Sequence, residues 1–111
     1  MDIVYKTKRL EKECNNQKLL EKKYGSKRAK RIQQRLYGLL SANVLEDMRN
    51  YPGRCHELRH NRKGQLSLDL DHPYRLIFEP ANEPIPKKLD GGIDWTKVTA
   101  VRILGVEDTH E

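Results

Sequence analysis

The hydrophobic period along the chain runs from two to about 3.6 and back to two, and those changes divide it into elements. DIVY at the start is a short β-branched run and predicts an edge strand. Thr7 then offers an N-cap to TKRLEKEC, where Leu10 and Cys14 lie four apart and predict a short helix. NNQ interrupts it, and KLLEKKY adds another turn or two of helix that stops at Gly25. Ser26 reads as the N-cap of a third helix. Ala29, Ile32, Leu36 and Leu39/Leu40 follow at spacings of three and four, one apolar stripe reaching about Ala42. NVLEDMRNYPGR reads as a helical turn closed by Pro52-Gly53.

From there the pattern alternates. CHEL, QLSLDL and YRLIF predict three strands. Leu66, Leu68 and Leu70 take one face of the second, with Gln65, Ser67 and Asp69 on the other. Arg62-Lys63-Gly64 turns into that strand and Asp71-His72-Pro73 turns out of it. In the next strand Tyr74, Leu76 and Phe78 share a face opposite Arg75 and Ile77. Residues 80–97 form a long Pro- and Gly-bearing excursion, ordered in part by Trp95 packing back on the body. VTAVRILGV is a last strand. Tyr74, Phe78 and Trp95 are expected in the core. Helices followed by an antiparallel meander predict one α+β domain over residues 1–111, N-terminal helices packed on a small, mainly antiparallel twisted sheet.

Composition narrows the function. With 36% hydrophobic and 34% charged residues the core is small, and a chain of this length buries roughly 60–70% of its unfolded surface. No run approaches the ~18 apolar residues of a membrane span, and MDIVYKTKRL lacks the apolar region of a signal peptide. Cys14 and Cys55 match no zinc spacing and read as reduced structural thiols of a cytoplasmic protein. The net charge of +6 hides a polarity: residues 1–63 hold 17 Lys/Arg against 7 Asp/Glu, and residues 64–111 hold 5 against 9. No acid occurs from Lys22 to Arg35, a stretch holding Lys22, Lys23, Lys27, Arg28, Lys30, Arg31 and Arg35. A solvated helix alternates signs for i,i+4 support, and this one does not. It reads as an electrostatic footprint for a polyanion, RNA or a ribosome surface, or as a face covered by an acidic protein partner.

The run HELRHNRKGQLSLDLDHPYRLIF, followed by a final strand and a near-terminal EDTH, resembles the RelE/ParE toxin superfamily, and within it the HigB-type killer branch. The likeness covers residues 56–78 and 98–110. The basic helices at 7–42 agree in order and character, while the 80–97 loop is longer than usual. The resemblance implies a RelE-like fold and a toxin that cuts mRNA in the ribosomal decoding site by attack of a ribose 2′-OH on the adjacent phosphate. It also implies a helix-turn-helix, HigA-type antitoxin as partner beside ribosome and mRNA, with no metal, no other cofactor and no membrane.

That chemistry needs a base, an acid and cations for the phosphorane charge. By the resemblance, His110 is the general acid/base and Asp108 orients it. Arg59, where the family has a lysine, and Arg75, its strand arginine, stabilise phosphate charge. His56 matches a histidine at the edge of the site, and Arg62 and Lys63 join the basic helix in binding RNA or the ribosome. Two positions depart from the pattern. Asp69 stands where the branch has another arginine, and Thr109 replaces a tyrosine, removing a ring on which a base would stack.

Other readings of the residues stay open. Asp69–Arg75 is also what a plain cross-strand ion pair looks like. Arg62 and Lys63 also suit a soluble turn. His56 and His60, four apart in extended structure, do not converge on one ion. At the level of the whole chain, a ParE-like poison of DNA gyrase and a non-catalytic RNA- or ribosome-binding module share the same features.

Overall fold

The computed structural model describes residues 1–108. β1 (Asp2–Tyr5) leads into three helices, α1 (Lys8–Cys14), α2 (Gln17–Tyr24) and α3 (Ser26–Ser41). Their ends follow from the caps. Thr7 accepts from the Leu10 amide at 3.1 Å and Asn16 from the Leu19 amide at 3.2 Å, so the Asn15-Asn16 pair ends one helix and starts the next. Gly25, at φ 82°, closes α2 in a conformation that an L-residue with a Cβ resists. Its carbonyl already accepts from the Ala29 amide at 3.0 Å. Gly25 therefore caps α3, and Ser26, expected as the cap, is the first helical residue.

The apolar stripe of α3 is buried as its spacing predicts: Ala29, Ile32 and Leu39 are fully covered and Leu36 nearly so. Leu40, offered with Leu39, lies on the outer face and is 61% exposed. A 3₁₀ turn over Leu45–Asn50 follows; Asp47 accepts from the Asn43 and Val44 amides that lead into it, and its first two amides, Leu45 and Glu46, donate to the Val98 and Trp95 carbonyls.

The remaining strands are β2 (His56–Glu57), β3 (Leu66–Asp69), β4 (Tyr74–Pro80) and β5 (Ala100–Asp108), with a 3₁₀ turn at His60–Arg62 between β2 and β3. They form one sheet in the order β1-β5-β4-β3-β2, antiparallel throughout except that β1 runs parallel to β5. The architecture is α+β. Leu66, Leu68, Leu76, Phe78, Val101 and Ile103 join the helical stripe in a continuous core. A side chain the size of Phe78, fully buried, contributes about 2–3 kcal/mol by removal from water. β5 carries an irregularity where Ile77 pairs with Gly105 but Phe78 pairs with Ile103. The 80–97 excursion is anchored by Ile93, Trp95 and Val98, all buried, and by one isolated bridge between Lys87 and Ile93. Among the described residues no helix is long and apolar enough to cross a membrane.

Candidate nucleic-acid interface

The helices cover one face of the sheet, and the other face lies opposite them. It is polar in β3 and β4, and it is covered. Ser67 and Ile77, register partners on that face, are both fully buried. Long cationic side chains provide cover by lying along the sheet with their heads paired. Arg62 donates from Nε to Gln65 Oε1 at 2.8 Å, and from its two terminal nitrogens to both Glu107 oxygens at 2.8 and 2.9 Å. Gln65 adjoins β3 and Glu107 belongs to β5, so the side chain spans β4 between them. Arg62 holds the Glu107 carboxyl below the usual carboxylate range. The turn arginine expected to face RNA is thus partly a brace on the sheet. Glu107 gave no sequence signal: it follows VTAVRILGV, where the last strand was expected to end, and β5 runs on to Asp108.

Asp69 is the centre of the next group. Arg54 donates from Nε to Oδ2 at 2.9 Å, which raises the Arg54 pKa above its ordinary value. Arg75, directly across the β3–β4 ladder, brings its Nε to 3.4 Å from Oδ1. That approach is an ion pair without hydrogen-bond geometry, and Oδ1 has no hydrogen-bond partner among the described residues. The cross-strand pair legible in the sequence is present, and Arg54 is a second cation that the sequence did not announce. Arg75 sits opposite Glu107, whereas Asp108 sits opposite Tyr74. Strand alternation therefore sends Asp108 to the Tyr74 side and Arg75 to the other. His110 and Thr109 lie outside the described residues, so the Asp108–His110 partnership does too.

At the free edge of the sheet, β2 is only two residues long, paired antiparallel with β3. Arg54 and His60, on either side of it, take left-handed φ values of 53° and 58°, uncommon and costly for residues with a Cβ. His56 is half-buried. Its Nδ1 lies 2.9 Å from the Arg54 carbonyl, which only accepts, so Nδ1 carries the proton and Nε2 of the neutral ring is an acceptor. Nε2 faces the buried Ser67 hydroxyl at 3.5 Å. His56 thus has a fixed tautomer.

A groove of about 930 Å³ runs along this edge, lined by Arg49, Arg54, His56, Arg59, Lys63 and Trp95 among others. Of the residues singled out in the sequence, Arg59, His56 and Lys63 are brought together there. Arg49 and Arg54 were missed. Trp95 was assigned to the core, and it is buried, but it also forms the groove wall. The wall also holds the Cys55 thiol, which burial pushes up to about 12. Cys14 is likewise a free thiol raised to about 11 by burial. Neither is a thiolate near neutral pH.

The basic helices divide into two sets. Lys22, Lys23, Lys27, Lys30 and Arg31 are exposed, although Lys23 is tied to Glu13 at 3.0 Å. Arg28 and Arg35 are drawn inward, a correction to the uniform basic face. Arg28 makes a two-pronged pair with Asp71 at 3.0 and 3.2 Å and lies over the Tyr74 ring at 3.5 Å. Arg35 is 9% exposed and donates from Nε to the Asp69 carbonyl at 2.7 Å, and burial lowers its pKa. Among the described residues no cluster of three or more His, Cys, Asp or Glu is arranged to hold a metal ion. A scan against protein-family models and a search of curated proteins both return no match for the chain.

Proposed function

We propose that this chain is the toxin of a type II toxin–antitoxin pair, a HigB-type member of the RelE/ParE superfamily. In this reading it acts in the cytoplasm as a ribosome-dependent mRNA endoribonuclease, held in check by a helix-turn-helix antitoxin. The observation that carries the reading is the groove beside β2, where Arg54, Arg59 and Lys63 gather with a histidine of fixed tautomer. Cations so arranged suit a phosphodiester, and the exposed lysines of α2 and α3 suit the larger polyanion of ribosomal RNA.

The chemistry asked of the residues is transfer of the 2′-OH proton to a base, protonation of the 5′ oxygen, and stabilisation of the phosphorane by guanidinium. His110 is the proton-transfer group of this proposal, and Arg59 and Arg75 are its phosphate ligands. His56 Nε2, an acceptor in the neutral ring, is available as a second proton acceptor once Ser67 yields it.

Primer extension on a reporter mRNA in a purified translation system tests the proposal, comparing wild type with His110→Ala, with and without ribosomes. Expected are cuts that require ribosomes and disappear in the variant. A second reading, binding without cleavage, is favoured by Asp69, whose carboxylate sits between Arg54 and Arg75 where a phosphate would go. Translation arrest with no cuts selects it. No effect on translation removes both readings and leaves a gyrase assay as the next step.

A further inference from the structure

Arg49 and Trp95 make a part of the groove that phosphate binding leaves unused. The indole is fixed on two sides: Nε1 donates to Glu57 Oε2 at 2.8 Å, and the Arg49 guanidinium lies over the ring at 4.1 Å from its centroid. Arg49 is itself held by Glu46 through Nε. The Arg49 guanidinium, seated over the ring, still leaves the side chain 55% exposed where it lines the groove. Unstacked RNA bases stack on such guanidinium planes and on aromatic rings, and Arg suits this where Lys does not.

The cations that take phosphate, Arg59 and Lys63, line the same groove, so a strand of RNA meets charge and stacking surface together. The strained backbone at Arg54 and His60 brackets this edge, a placement typical of sites shaped for a ligand.

We propose that the Arg49–Trp95 stack is a base shelf, receiving one unpaired nucleobase of a single-stranded RNA whose phosphates follow Arg59 and Lys63. The proposal rests on the reading of the chain as RNA-directed and is independent of cleavage.

Anisotropy of a labelled single-stranded RNA hexamer tests it, with 2′-O-methyl riboses so that no cutting intervenes. The same backbone without bases is the companion probe. Arg49→Lys keeps the charge and loses the plane, so it weakens the base-bearing hexamer about tenfold, the scale of one base–side-chain stack. It leaves the abasic hexamer bound as by wild type, which also shows that the variant is folded. Undiminished affinity for the base-bearing hexamer in Arg49→Lys, or an equal loss on both probes, overturns the shelf and leaves the RNA reading standing. Wild type that binds neither hexamer at low salt overturns the shelf and the RNA reading together.

Discussion

Asp69 holds two guanidiniums at once, Arg54 at 2.9 Å and Arg75 at 3.4 Å, and its own Oδ1 lacks a hydrogen bond among the described residues. A carboxylate in that position lowers the positive potential of the polar face. Asp69→Asn is therefore expected to increase affinity for single-stranded RNA several-fold, since Arg54 is released from its carboxylate and the face carries one negative charge less. It is also expected to reduce stability by about 1–2 kcal/mol, because Arg75, 14% exposed, loses its carboxylate across the ladder. RNA titration beside urea unfolding measures both. Weaker RNA binding in the variant would mean that Asp69 orients the arginines rather than competing for them. Strict alternation in QLSLDL and YRLIF made the Asp69–Arg75 pair legible. The share taken by Arg54 was not, because it depends on a left-handed residue after Gly53, and no side-chain period reports φ.

The elements themselves were readable where local chemistry decides them. Thr7, Asn16 and Gly25 set the helix limits, and the α3 stripe set its buried face. What was hidden is how elements distant in sequence are tied together. Arg28 of α3 grips Asp71 in the β3–β4 turn, and the pair draws the Asp71 carboxyl below its ordinary value of 3.8. Within a run without acids, this arginine looked identical to its exposed neighbours. The tie has a pH signature. A carboxyl whose folded pKa is depressed stabilises the fold fully above its unfolded value and loses that contribution as pH falls through the folded value. Asp71→Asn is expected to melt at a lower temperature than wild type from neutral pH down to about pH 4.5. Below 3.8 the two melting curves converge as Asp71 takes up its proton. Thermal unfolding followed by circular dichroism between pH 7 and 2.5 checks this. A gap that does not narrow at all between pH 4.5 and 2.5 would show that the pair contributes shape instead of charge.

Across the whole molecule, two cationic regions serve one +6 chain, and they differ in how much of their charge the fold consumes. The helical layer covers one face of the sheet, with Lys27, Lys30 and Arg31 pointing outward; the groove follows the β2 edge. On the polar face of the sheet the cations are braced against acids: Arg54 and Arg75 on Asp69, Arg62 on Glu107, Arg102 on Glu79. That difference explains why composition points to a cationic surface more readily than to a chemical site, since exposed lysines count in a charge run and braced arginines count equally. It also predicts separable effects. Reversing Lys27, Lys30 and Arg31 to Glu is expected to leave the melting temperature nearly unchanged, because all three are solvated. The same change should weaken binding to ribosomes and flatten its salt dependence by about 0.7 for each phosphate no longer neutralised, roughly two units of slope if all three side chains touch RNA. Binding at graded salt, with melting as the control, reads both. A slope that stays at the wild-type value would confine the polyanion to the sheet edge and leave α3 free for the acidic protein partner that its composition fits equally well.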